Sequence, residues 1–257
     1  GKGLIFYFKP DFSQVTGKTL LAALGQAFFS LSLGMGAMIT YGSYLSKKDN
    51  ILTSGCYVAI FDTLIAVMAG LLIFPALFSM SMDPAAGPGL VFKVLPRIFS
   101  MIPGGNIVGA AFFLLLSIAA LTSTISLLEV ATAYLVDEKH WLRRRAVWFV
   151  AGLSFCVGLP SVLSQGTVSR LGNLPLPGGG DFLGFMDWLF GNIMLAVGAF
   201  LISVFFGWVW KTRAAAVELK EGCPGFNRLA VVLDIMLRFF CPALILVLLF
   251  FLIKEVI

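Results

Sequence analysis

The chain has 257 residues, 59% of them hydrophobic and only 12% charged, with a mean hydropathy of +0.98. So little polarity cannot clothe the surface of a water-soluble globular domain, which makes the bilayer the solvent, and at roughly 20 apolar residues per crossing there is room for about six spans. The net charge of +5 does not argue for nucleic acid, because the basic residues sit in short runs between apolar stretches, where they read as topology signals.

In chain order, apolar runs long enough to cross the bilayer predict helices over 18–45, 51–80, 107–135, 142–165, 181–210 and 228–256, within one transmembrane domain covering 1–257. Successive spans alternate the sides of the loops. Lys47, Lys48, Lys139, Arg143, Arg144, Arg145, Lys211, Arg213, Lys220 and Arg228 then all fall on one side, which the positive-inside rule assigns to the cytoplasm. Both termini lie outside on this count. The chain opens on Gly1 and Lys2, with a polar segment ahead of the first apolar run and no secretory signal, so a continuation upstream is expected.

Residues 81–106 are rich in proline and glycine, including Pro84, Pro88, Pro96, Pro103, Gly104 and Gly105, with a short apolar centre from Leu90 to Met101. This predicts a structured external loop carrying one or two interfacial helical turns, either a functional lid or a passive cover. Cys56, Cys156, Cys223 and Cys241 show no CxxC spacing, and His140 is the only histidine. Neither a thiolate metal site nor a Ser/His/Asp triad has the residues it needs, and no enzyme or organic cofactor is expected.

Candidate functional residues begin in the first span. Ser30-Leu31-Ser32-Leu33-Gly34-Met35-Gly36 puts two hydroxyls and two glycines at mid-membrane. Glycine weakens a helix by about 1 kcal/mol relative to alanine. A helix broken there is tolerated only where its freed peptide groups line a cavity or hold a ligand. Ser32, Gly36 and Thr40 also recur every four residues, the pattern of close helix packing, so both readings stand.

Asp62 lies about eleven residues into the second span, near the midplane, where a carboxylate needs a wet cavity, a cation, a proton or a hydrogen-bonding neighbour. The third span carries Ala119-Ala120-Leu121-Thr122-Ser123-Thr124, hard oxygen donors of the kind alkali cations prefer, although such hydroxyls also bond back to their own helix. Glu129 and Asp137 toward one end, and Asp187 at the outer end of the fifth span, read as gate carboxylates or as ordinary headgroup-level charges.

The run from Gly25 through Gly36, followed by Thr40-Tyr41-Gly42-Ser43-Tyr44, resembles helix six of the neurotransmitter:sodium symporter family, and Leu121-Thr122-Ser123 resembles its helix eight. Phe8-Lys9-Pro10-Asp11-Phe12 and Leu95-Pro96-Arg97-Ile98-Phe99 extend the similarity over nearly the whole chain, closest to bacterial members. The resemblance implies an all-α, inverted-repeat transporter bundle of leucine-transporter-like fold, with a discontinuous helix. This chain would hold six transmembrane helices, numbers six to eleven, and the partner helices one to five would lie upstream.

The implied activity is symport of hydrophobic L-amino acids by alternating access, driven by sodium across a bacterial inner (plasma) membrane. A proton-coupled carrier and a non-transporting structural or receptor subunit are the alternatives. By the family pattern, Ser30 and Asp62 bind one sodium ion, while the Ala119 carbonyl with Thr122 and Ser123 binds a second. Phe29, Ser30, Ser32, Leu33, Gly34, Met35, Gly36, Ser123 and Leu127 form the substrate pocket. Asp187 matches the external gate, and Tyr44, Glu129 and Asp137 match the cytoplasmic one.

Two departures carry expectations of their own. Asparagine is usual where Asp62 stands, and chloride-dependent members have serine at Ala66, so the Asp62 carboxylate should replace chloride. Met35 stands where a phenylalanine occurs in the family, and its flexible thioether predicts a pocket tolerant of several apolar side chains.

Overall fold

The computed structural model describes residues 2–9, 11–46, 48–79, 90–166, 168–177, 180–210, 232 and 234–254, and helix is the only regular structure among them. The helices are α1 Lys2–Phe8, α2 Gly17–Ser30, α3 Ala37–Ser43, α4 Ile51–Ser79, α5 Leu95–Ser100, α6 Gly105–Asp137, α7 Arg143–Ser164, α8 Ser169–Gly172, α9 Phe182–Trp210 and α10 Met236–Lys254. Among the described residues five of these, α4, α6, α7, α9 and α10, are long and apolar enough to cross a bilayer.

The sixth apolar rod is the one expected over 18–45, and it is split. Its halves, α2 and α3, hold 14 and 7 residues, and at about 1.5 Å per residue neither reaches across about 30 Å of hydrocarbon alone. The last span is described from Met236; the earlier part of the stretch expected from 228 lies mostly outside the described residues, as do 80–89 of the external loop. The described part of that loop is a turn of π-helix, Leu90–Val94, running into α5.

The chain divides into two compact units, one of residues 1–15 and 59–125, the other of 16–58 and 126–257. In the first, α1 lies on the far end of α4. Gly3 permits this, because a Cβ there would come within 2.6 Å of the Phe74 carbonyl oxygen. Phe6 packs against Phe74 and Phe78 with ring centroids 5.4 and 4.9 Å apart, and the Tyr7 hydroxyl donates to the Val67 carbonyl at 3.2 Å. Phe99 of α5 packs on Phe112 of α6 at 5.5 Å. Much of the apolar surface of this unit faces outward, Leu72 at 73% and Ile107 at 78% exposure, as expected of helices solvated by lipid or by further transmembrane helices.

In the second unit α2, α9 and α10 share a core of Ala196, Ala199, Ile245 and Leu248, against which Leu21, Leu24 and Phe28 pack. Thr16 and Thr19 start α2 with a reciprocal capping box, each side-chain oxygen taking the other's backbone N–H. α10 begins with a π-helical turn, Met236–Phe240, and then meets Pro242. Proline has no N–H to return to the preceding turn. The carbonyls left over are met from α9: Ser203 Oγ donates to Leu237 and Trp208 Nε1 to Arg238, both at 3.2 Å. In a bilayer, where no water substitutes for a lost partner, such side-chain repairs are what makes a helix break tolerable.

Candidate functional site

The interruption between α2 and α3 has a definite stereochemistry. α2 ends at Ser30 and Leu31 caps it; the next residue, Ser32, turns left-handed with φ 53°. The Leu33 amide then reaches the Phe28 carbonyl at 2.8 Å and the Ser32 amide reaches Phe29 at 3.0 Å. That pair of bonds is a Schellman stop, and it accounts for two of the carbonyls a helix end leaves over. Gly34 at φ 85° and Gly36 at φ 82° complete the reversal, and Gly36 caps α3 without a side-chain hydrogen bond. Thr40 returns both its amide and its hydroxyl to the Gly36 carbonyl, at 2.9 and 3.1 Å. Both sequence readings of this stretch describe part of it: the rod is broken, and its small residues also allow close packing.

Two cavities flank the break within this unit. One, of about 340 Å³, brings Phe29 together with Asp187, along with Lys18, Gln26 and Asn192 over an apolar floor that includes Leu248. The other, of about 310 Å³, lies between Ser32, Gly34 and Met38 on one side and Ser203, Leu237 and Cys241 on the other. Met35 and Ser30 line neither of these two. Asp187 opens a π-helical stretch, Asp187–Met194, and Asn192 Nδ2 donates to its carbonyl at 3.1 Å. Leu33 and Leu127 are exposed, at 36% and 51%.

At the far end of α3, the Tyr44 hydroxyl donates to Glu129 Oε1 at 2.5 Å, and Arg143 Nη2 donates to Glu129 Oε2 at 2.8 Å. Glu129 is 16% exposed and Arg143 62%. Asp137, the exposed last residue of α6, is joined to these three by no hydrogen bond or ion pair among the described residues. Arg143 was missed in the sequence because it sits in a run of three arginines that topology alone explains. Lys18 of the outer cavity was missed too; its place at the start of α2 was the available signal.

In the first unit Asp62 is half-buried on α4. On α6 the Thr122 hydroxyl donates to the Ala119 carbonyl at 2.8 Å, which sets two hard oxygen donors side by side, with Ser123 next in sequence and exposed. Among the described residues no three His, Cys, Asp or Glu side chains gather into a metal cluster. The oxygen groups present are hydroxyls, peptide carbonyls and single carboxylates, all hard donors.

An apolar rod stopped by its own backbone, among helices long and apolar enough to cross a membrane, is the kind of interruption found where freed peptide groups line a cavity or hold a ligand, as in secondary transporters. The chain belongs to the sodium:neurotransmitter symporter family, whose model matches residues 1–257. It is 37% identical over 214 residues to an "Uncharacterized sodium-dependent transporter" of Haemophilus influenzae, covering 83% of this chain and 46% of that protein. Against the "Uncharacterized sodium-dependent transporter YhdH" of Bacillus subtilis it is 34% identical over 246 residues, 96% of this chain and 54% of the relative. The crystal structure of MhsT in complex with L-phenylalanine superposes with a TM-score of 0.87 at 42% identity, covering 97% of this chain and 55% of that one. The chain thus spans about half the length of the curated relatives it matches.

Proposed function

We propose that this chain is the C-terminal half of a sodium-coupled symporter that carries hydrophobic L-amino acids across a bacterial inner membrane by alternating access. The observation that carries the reading is the break at residues 31–36, which turns peptide groups out of a helix in the middle of an apolar span. Half-helix ends supply carbonyls for a cation and amides for a carboxylate, the two charges that a sodium ion and an amino acid bring. Asp62 supplies the carboxylate of one sodium site, to which Ser30 contributes; Ala119, Thr122 and Ser123 supply a second. Phe29, Ser30, Ser32, Leu33, Gly34, Met35, Gly36, Ser123 and Leu127 take the substrate, Asp187 acts at the outer gate, and Tyr44, Glu129 and Asp137 act at the inner one. That MhsT is described with L-phenylalanine bound supports an apolar substrate, and the sodium-dependent names of the two bacterial relatives support the coupling ion.

Sodium drives transport only by binding one state of the gates more tightly than the other. Binding of labelled L-phenylalanine to the purified full-length protein, in sodium and in potassium buffer, tests the reading. Sodium-dependent binding, competed by leucine and valine, is the expected result. Equal binding in both buffers, or uptake that follows a proton gradient without sodium, would sink it.

A further inference from the structure

The geometry points to Gly198, in the middle of α9, as the positioning residue that seats the interrupted segment, an inference that rests on the function proposed above. The contact is backbone on backbone. A Cβ built on Gly198 would collide with the carbonyl oxygen of Gly34 and come within 3.2 Å of its carbonyl carbon. In the other direction, a Cβ on Gly34 would run into the carbonyl oxygen of Leu195 and lie 2.9 Å from the Ala199 nitrogen and 3.1 Å from the Ala199 Cβ. The Gly34 carbonyl therefore points at one turn of α9, oxygen foremost, with no side chain between the two backbones. Leu195, Ala196 and Ala199 of that turn are buried, at 4%, 1% and 7% exposure.

A glycine inside a helix weakens it and is retained where another backbone must come close. Close backbone approach occurs at some helical glycines, such as Gly207 of α9, where a Cβ would come within 3.0 Å of the Arg238 and Leu237 backbone, and not at others. Gly152 and Gly158 of α7 would meet nothing within 4 Å if given a Cβ. At Gly198 the approach involves the one segment whose peptide groups are proposed to hold cation and substrate. Eleven residues before it on the same helix is Asp187, which shares the outer cavity with Phe29. α9 is thereby the surface against which the depth of the break is set, and Gly198 is the point of contact.

The test uses the full-length protein, with Gly198→Ala as the perturbation and Gly158→Ala as the control. Two readouts are needed: amide hydrogen exchange over residues 31–36, and sodium-dependent binding of labelled L-phenylalanine, expressed as affinity and as capacity per folded molecule. Gly198→Ala should speed exchange in the segment and weaken affinity by about ten- to a hundredfold, the effect of one methyl forced into a filled contact, with capacity unchanged. Gly158→Ala should leave both as they are. Should Gly198→Ala fail to fold, Ala199→Gly loosens the seat from its other side by removing the methyl nearest Gly34, and should also speed exchange and weaken binding. Wild-type exchange and affinity in a folded variant, or lost capacity at unchanged affinity, would overturn the role given to Gly198. Absence of sodium-dependent binding in the wild type would instead sink the proposed function, and the exchange measurement would still decide whether Gly198 seats the break.

Discussion

The left-handed turn at Ser32 gives the sharpest quantitative consequence of this fold. With φ at 53°, a side chain at this position carries a strain of about 1–2 kcal/mol that glycine escapes. Ser32→Gly relieves it, but it also adds chain entropy to the unfolded state, a loss of about 0.5–1 kcal/mol, so the net gain should be between zero and about 1.5 kcal/mol. Ser32→Val goes the other way, because a β-branched side chain tolerates positive φ worst, and it should cost about 2 kcal/mol or more. Because the relatives are about twice the length of this chain, the conversion for a full-length protein falls to about 1–2 °C per kcal/mol, and the two variants should melt at least about 2 °C apart, glycine above valine. Thermal melting of the full-length protein in detergent measures the gap, and exchange at Leu33, whose amide closes the Schellman bond to Phe28 at 2.8 Å, places it at the break. Valine melting with or above glycine would show that Ser32 is not left-handed and that the rod stops by some other means.

Four further outcomes are expected. Tyr44→Phe should keep its destabilising effect in high salt while that of Arg143→Ala shrinks, because the tyrosine is a neutral donor to Glu129 at 2.5 Å whereas Arg143, 62% exposed, acts through a screened charge; melting at two ionic strengths compares them. Ser203→Ala should cost about 1–3 kcal/mol by stripping the Leu237 carbonyl of its side-chain donor, and less in a Pro242→Ala background, where the restored N–H supplies an intrahelical partner; a double-mutant cycle shows the coupling. Replacing chloride by gluconate should leave uptake by the full-length protein unchanged if the Asp62 carboxylate supplies the negative charge, and a large loss would contradict this. The Asp49 carboxyl is held below its ordinary range, first by the Ser46 hydroxyl at 2.8 Å and then by the Ser46 amide at 2.9 Å. A lowered folded-state pKa means this contact stabilises above the usual carboxylate range near pH ~4 and is lost as pH falls through the folded value; exchange at the Ser46 amide should therefore gain an acid-side acceleration that Asp49→Asn lacks.

The membrane class was legible because it follows from bulk hydropathy; the glycines of 30–36 left a broken rod and close packing both open, and only the resemblance of Gly25 through Gly36 to helix six implied the discontinuity. The site was legible only in part. Phe29 and Asp187 were chosen for different reasons, one from a motif and one from depth, and the cavity they share depends on how α2 and α9 pack. Arg143 was hidden because topology already explained the arginines around it. Pro242 sat in an apolar run and drew no notice, although its missing N–H shapes the contact of α10 with α9 through Ser203 and Trp208. Each miss involves a partner distant in sequence, which periodicity cannot name.

The same distinction explains why the break is held as it is. A side chain placed to brace the segment would fill the space beside its freed peptide groups, and in hydrocarbon any polar brace would itself need a partner. Packing backbone directly on backbone avoids both costs, at the expense of glycine at both contact points, Gly34 and Gly198. Such a contact has no soft side chain to absorb a displacement, so a shift of α9 at this turn must carry the peptide after Gly34 with it.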